Sequence, residues 1–179
     1  MSTIKKKKIV IATSGASGVN LGLKTLKLLP DTIEKHFIMS ENSKTVLSKE
    51  MNDVTTHSNE DISASVASGS FGVEAMIIAP CSMNTLAKIA CGISDNLVTR
   101  CAAVMIKEQK KLILAPREMP FSSIALENMQ KLAALGIIIA PPVMAYYSEQ
   151  QTLDEMENFI IGKWFDLLDI ENNLYKRWE

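Results

Sequence analysis

Ile9-Val-Ile-Ala-Thr-Ser-Gly-Ala-Ser-Gly18 is the stretch whose reading decides the fold. An apolar run from Ile9 to Ala12 passes into six small residues, Thr13 to Gly18, and a helical pattern follows. That order describes a strand-to-helix turn. Its unpaired backbone N–H groups and the positive end of the helix dipole suit an anion, and small side chains let a ligand approach the backbone. Two glycines fall short of G-x-G-x-x-G, and the Lys-Ser/Thr ending of a P-loop is missing, so NAD and ATP are both disfavoured. The turn alone leaves two readings open, a nucleotide or flavin phosphate site and a merely structural tight turn.

Further apolar runs at Phe37 to Met39, Ala75 to Ala79, Leu112 to Ala115 and Ile137 to Ala140 read as short buried strands separated by patterned segments. This alternation predicts a parallel α/β sheet. Leu21, Leu23, Leu26, Leu28 and Leu29 give the first helix its apolar side, and Pro30 ends it. A second helix is predicted from Ser122 to Leu135, closed by Gly136 as a C-cap glycine. A third, amphipathic helix runs from Glu155 to Leu168. The polar stretch from Thr55 to Ser70 reads as a functional loop inside the domain.

The length of 179 residues fits one domain, 1–179, with an ordinary core. A net charge of -1 gives no reason to invoke nucleic acid or a membrane surface, and Lys5 to Lys8 read as a solvated lead-in to the first strand. No apolar segment approaches the roughly 20 residues of a membrane span, and no signal-peptide pattern opens the chain. A cytoplasmic protein is expected. Cys81, Cys91 and Cys101 are too few and wrongly spaced for a disulfide framework or a zinc site, and His36 and His57 form no H-x-x-x-H pair, so no metal site is expected. Cys81, which opens a polar loop after a strand, reads as a small semi-buried filler.

In an open parallel sheet ligands sit beyond the carboxyl ends of the strands. Those ends carry Gly15-Ala16-Ser17-Gly18, then Ser40, then Pro80-Cys-Ser-Met-Asn-Thr85, then Pro116-Arg117-Glu118, then Pro141-Pro142 with Tyr146-Tyr147 beyond. Hydroxyls, amides and one Arg therefore converge on one rim. Ser82, Asn84 and Thr85 also suit a helix cap. Taken with the first turn, a phosphate-bearing planar cofactor explains the set better.

Several stretches then resemble a known family over nearly the whole chain. Thr13-Ser-Gly-Ala-Ser-Gly18, Ala67-Ser-Gly-Ser-Phe71, Ala79-Pro-Cys-Ser82, Ser94-Asp-Asn-Leu97 with Arg100, Lys107-Glu108, Pro116-Arg-Glu118, Glu127-Asn-Met129 and Arg177-Trp178 together look like the UbiX/Pad1 flavin prenyltransferases. The resemblance implies a three-layer, Rossmann-like or flavodoxin-like parallel sheet with helices on both faces. It implies FMN against Gly15, Ala16, Ser17, Ser40, Ser82, Met83, Asn84, Thr85 and Arg117. It also implies dimethylallyl monophosphate bound by Arg100, Lys107, Arg117, Glu118, Tyr147, Lys163 and Trp178. By the same resemblance Ser17, Glu50 and Glu118 serve catalysis without a metal, the chain forms a homo-oligomer, typically a dodecamer, with sites where subunits meet, and the product goes to a UbiD-type decarboxylase.

The chemistry suits the residues. Moving an allyl group breaks a C–O bond to phosphate while positive charge grows on carbon, so cations must hold the leaving group; Arg100, Lys107 and Arg117 supply them. No D-D-x-x-D magnesium motif occurs. The family then joins the five-carbon unit to N5 of reduced FMN and closes a ring at C6. Position 163 departs from the pattern, with Lys where the family commonly has Arg, which keeps the charge and loses the bidentate fork. Two rivals stand beside this reading. A flavin-dependent cysteine decarboxylase would carry Pro-Ala-Ser-Ala-Asn-Thr and a catalytic His, whereas Pro80-Cys-Ser-Met-Asn-Thr85 stands here without that His. A non-catalytic FMN carrier for a separate decarboxylase would not need a second phosphate site. The Leu174 to Trp178 tail is compatible with packing on a neighbouring subunit.

Overall fold

The computed structural model describes residues 6–15, 17–39 and 53–177. Six strands make one parallel sheet: β1 (Lys7–Ser14), β2 (Ile33–Met39), β3 (Val54–Ser58), β4 (Val73–Cys81), β5 (Lys111–Pro116) and β6 (Ile138–Ile139). Their spatial order is β3-β2-β1-β4-β5-β6, so the chain builds outward one way from β1 and then returns to build the other way from β4. Among the described residues five helices cover the faces: α1 (Val19–Leu28), α2 (Met83–Ala90), α3 (Leu97–Lys107), α4 (Ser123–Ala134) and α5 (Leu153–Leu167). The expected three-layer architecture is the one observed.

Alternation along the central strands divides the core. Ile9, Ile11, Phe37, Ala75, Ile77 and Ile113 face α1 and α5. Val10, Ala12, Ile38, Met76, Ile78 and Leu114 face α2, α3 and α4. Both sides of the central strands are therefore buried, which is why they read as continuous apolar runs. Each buried Leu, Ile or Phe stabilises the fold by roughly 1.5–3 kcal/mol.

Local signals set the helix ends. Ser122 Oγ accepts the backbone N–H of Ala125 at 3.2 Å, and Gly136 takes a φ of 82° just past α4. Thr152 and Glu155 form a reciprocal capping box at the start of α5. Among the described residues no helix is long and apolar enough to cross a membrane.

One expectation fails. The stretch from Thr55 to Ser70, expected as a functional loop, is not a single loop. It opens inside the edge strand β3, and 3₁₀ turns follow at Ser65–Ala67 and Gly69–Phe71. Val66 and Ala67 are buried against the core, and Gly69–Phe71 leads into the N-terminal end of β4, opposite the strand ends that carry ligands. An edge strand pairs on one side only and need not be apolar, so the half-exposed Val54-Thr-Thr-His-Ser58 gave no hydrophobic run.

Candidate active site

The sheet order reverses between β1 and β4, and the crevice beyond their carboxyl ends is where an open α/β sheet takes its ligand. Gly15 to Gly18 form the turn from β1 into α1. Gly18 is the N-cap with a φ of 91°, a left-handed conformation that favours glycine. Gly15 differs, since a Cβ there would meet Pro80 Cγ at 3.6 Å and Ser82 Cβ at 3.9 Å, ordinary contacts. Its lack of a side chain keeps the backbone open to a ligand. Ser17 is exposed on the same turn. Ser14 Oγ accepts the N–H of Ser82 at 3.1 Å and ties the two strand ends together.

Gly22 completes the turn's design and was not singled out from sequence. A Cβ there would run into the carbonyl oxygen of Ala79 and stand 2.9 Å from Thr13 Cγ2, so α1 lies against β1 and β4 only because position 22 is bare. This is the close helix-to-strand approach served by the last glycine of a dinucleotide fingerprint. It falls four residues after Gly18 instead of three, which hid it from the motif.

Beyond β4, Ser82 caps α2: its Oγ accepts the N–H of Thr85 at 3.2 Å and donates to Thr85 Oγ1 at 3.1 Å. The two hydroxyls are thus committed to the cap, with Thr85 buried. The N–H groups of Met83 and Asn84, in the first turn of α2, have no intrahelical acceptor and point toward the crevice end of the helix. Cys81 is the last residue of β4, buried, and burial pushes its thiol up to about 12, so it is inert packing.

Arg117 and Glu118 follow β5. A Cβ at Gly18 would stand 3.8 Å from Arg117 Cδ, so the guanidinium stem lies along the first turn. Glu118 Oε1 accepts the N–H of Met119 at 3.1 Å. Two open clefts flank these residues. One of about 370 Å³ lies between Pro116 to Phe121 and Pro141 to Val143, and one of about 300 Å³ lies between Glu118 and the first turns of α2 and α4. Glu118 lines both. The structure therefore gathers Gly15, Ser17, Ser82, Met83, Asn84, Thr85, Arg117 and Glu118 around one crevice.

Other expected residues lie elsewhere on this chain. Tyr147 sits on the 3₁₀ turn Tyr146–Ser148, with its ring edge-on to Phe159 at 6.0 Å, and Lys163 is exposed one helical turn beyond Phe159 on α5. Lys107 ends α3 and pairs with Glu108 at 2.5 Å, and Lys107 holds that carboxyl below its ordinary range. The Glu108 side chain abuts Gly69, ahead of β4, so this pair occupies the N-terminal end of the sheet. Arg117 follows the other end of β5, whose six residues span about 20 Å. Arg100 is exposed on the first turn of α3. Within one chain, Lys107 and Arg117 do not meet. Ala16, Ser40, Glu50 and Trp178 lie outside the described residues.

The cradle fits the phosphate tail of a flavin mononucleotide: a left-handed glycine turn, a bare Gly15, a helix N-terminus and an arginine face one crevice. Fold and site define a flavoprotein, and the Flavoprotein family profile matches residues 1–165. The chain is 50% identical to the flavin prenyltransferase UbiX of Campylobacter jejuni, covering 96% of this chain and 98% of that one. It belongs to the UbiX flavin prenyltransferase family. Among solved structures, AnUbiX (PadA1) in complex with FMN and dimethylallyl pyrophosphate superposes with a TM-score of 0.89 at 35% identity, covering 98% of each chain. A dodecameric FMN-dependent UbiX-like decarboxylase from Escherichia coli O157:H7 gives 0.86 at 36%, covering 96% of this chain and 99% of that one.

Proposed function

We propose that this protein, in the cytoplasm, transfers the dimethylallyl group of dimethylallyl monophosphate to N5 and C6 of reduced FMN, and that a UbiD-type decarboxylase uses the product. The single observation that carries this reading is the approach of Arg117 to the Gly18 turn at the β1/β4 crevice, with Glu118 shared between the two adjoining clefts. A flavin carrier needs the turn; a transferase also needs a cation and a carboxylate beside it.

Reduced FMN supplies the nucleophilic nitrogen and ring carbon when bound. The chain's own residues do the rest. The Gly15 to Gly18 turn and the first turn of α2 hold the flavin's phosphate through backbone N–H groups. Arg117 holds the donor's phosphate in a two-pronged hydrogen bond and stabilises the charge it gains as the C–O bond breaks. Ser17, exposed at the turn, and Glu50 relay the proton leaving N5. The released phosphate, held by the cations beside Glu118, acts as the base that takes the proton lost in ring closure. Arg100, Lys107, Tyr147, Lys163 and Trp178 complete the donor site.

Because Lys107 and Arg117 stand at opposite ends of β5, a site that uses both is built from more than one chain. Met119 and Val143 line the larger cleft and are 90% and 65% exposed, Tyr146 and Tyr147 on the turn beyond are 86% and 63% exposed, and a neighbouring subunit covers such apolar surface. We take the assembly to be a dodecamer, the state of the Escherichia coli relative.

The test is anaerobic incubation with reduced FMN and dimethylallyl monophosphate, then mass analysis of the extracted flavin. A product heavier than FMN by one C5H8 unit is expected. FMN recovered unchanged, with the diphosphate donor equally inert, would overturn the reading in favour of a carrier.

A further inference from the structure

The C-terminal segment does not trail from α5 but folds back onto it. Asp166 is the fastening point. Its Oδ2 accepts the Tyr175 hydroxyl at 2.5 Å, and Arg177 reaches both carboxylate oxygens, Nη1 to Oδ2 at 2.9 Å and Nη2 to Oδ1 at 2.8 Å. Asn172 Nδ2 donates to Asp166 Oδ1 at 2.9 Å and to the carbonyl of Gly162 at 3.3 Å. Three side chains from the tail thus converge on one carboxylate and the helix backbone beside it. Arg177 holds the Asp166 carboxyl down at about 2, and burial with the Asp166 contact pushes the Tyr175 hydroxyl up to about 12. The fastening keeps one charge state through the whole neutral range.

What it fastens is a ring. Tyr175 lies over Gly162, where a Cβ would come within 2.5 Å of its Cδ1, so this helix position is bare to admit an aromatic face. The same ring meets Phe159 edge-on at 4.9 Å, and Phe159 meets Tyr147 edge-on at 6.0 Å. Three rings therefore run in contact from the tail to the turn that carries Tyr147. Lys163 follows Gly162 directly, four residues after Phe159 and three before Asp166, so it sits between the ring contact and the fastening point on α5.

We propose that Asp166 is a positioning residue: by clamping the C-terminal segment to α5 it seats Tyr175 behind Phe159 and Tyr147, and so fixes the Tyr147 hydroxyl that receives the donor's phosphate. The inference rests on the prenyl-transfer reading above. It assigns the tail a task in donor binding and none in flavin binding, because the tail's clamp and ring contacts go to Gly162, Asp166 and Phe159 on α5.

The experiment uses the full chain and three readouts: fluorescence titration of the flavin-free protein with FMN, calorimetric titration of the FMN-loaded protein with dimethylallyl monophosphate, and steady-state formation of prenylated flavin. Asp166→Asn is expected to weaken donor binding and raise KM by about three- to tenfold, the range one or two aromatic contacts carry, with kcat and FMN affinity unchanged. Tyr175→Ala should match it, whereas Tyr175→Phe, which keeps the ring, should lose less. In a Tyr147→Ala background Asp166→Asn should add nothing, since a residue acting through another shows full coupling. Tyr175→Ala removes a half-exposed ring and carries the test if Asp166→Asn does not fold.

Donor binding unchanged in both Asp166→Asn and Tyr175→Ala would overturn the proposal. So would losses in donor and FMN affinity that fall together, which would mark the clamp as scaffold. A wild-type protein that binds the donor without transferring it would sink the transferase reading and leave the clamp to be judged by titration. One that binds no donor at all would sink both.

Discussion

Gly15, Gly18 and Gly22 each lack a side chain for a different physical reason, and the three can be separated by substitution. At Gly18 the φ of 91° strains any L residue. At Gly22 a methyl would strike the Ala79 carbonyl. At Gly15 it would meet nothing closer than 3.6 Å, so no clash within the chain requires its absence, and on the proposed function it serves the flavin. Gly15→Ala should therefore leave the melting temperature unchanged and weaken FMN binding at least tenfold, read by flavin fluorescence titration. Gly22→Ala should cost about 1–3 kcal/mol of stability as α1 is pushed off the sheet, seen as a lower denaturation midpoint. A Gly15→Ala protein that melts early would show that the turn is structural. Lys163→Arg tests the family's usual residue: the restored fork should lower KM for the prenyl phosphate with kcat unchanged. Gly15, Gly18 and Arg117 were legible because motif and strand end coincide. Gly22 was not, because its meaning depends on which strand the helix crosses, and that is a tertiary fact.

At the scale of elements, legibility followed burial. Strands covered on both faces announced themselves as apolar runs, and α4 announced itself through Ser122 and Gly136. The edge strand β3 stayed hidden because only one side of it pairs, leaving the β-branched Val54-Thr55-Thr56 as its one sequence signal. It brings His57 against His36, with Nδ1 of His36 and Nε2 of His57 3.2 Å apart. His36 Nε2 lies 3.0 Å from Glu34 Oε1, and the Phe71 ring stands edge-on to His36. If Glu34 accepts from His36 Nε2, then His36 Nδ1 accepts from His57, and neutral imidazoles satisfy the line. Burial, and then the charge of His36, lowers the His57 pKa, while Asp61 pulls weakly the other way; Lys8 faces Glu34 at 3.8 Å. A histidine with a depressed folded pKa contributes stability that is full above the unfolded value of about 6.5 and falls as pH drops through it. Denaturant midpoints should thus decline from pH 7 toward pH 5, and His57→Gln should flatten that decline. An unchanged slope in the variant would show that the pair does not set the acid limit.

The whole molecule poses a geometric question that no single chain answers. Lys107 precedes β5 and Arg117 follows it, and the strand between them is about 20 Å long. Two cations so placed cannot grip one phosphate, whose oxygens lie within a few ångströms of each other. The periodicity and motifs that made both residues conspicuous carry no information on which copy of a chain supplies them; that is fixed by interfaces between copies. If one phosphate site takes Lys107 from one subunit and Arg117 from another, Lys107→Ala and Arg117→Ala proteins should each be nearly inactive alone. Unfolded and reassembled together in equal amounts, they should regain activity, because about a quarter of the mixed sites then draw both cations from intact copies. The recovered rate should be near a quarter of wild type per site. It should also depend on subunit exchange, so that proteins mixed without dissociation stay inactive. Recovery absent after verified exchange would mean that the two cations serve the same chain's chemistry through some other arrangement, whereas a Lys107→Ala protein active alone would mean that its pairing with Glu108 is all Lys107 does.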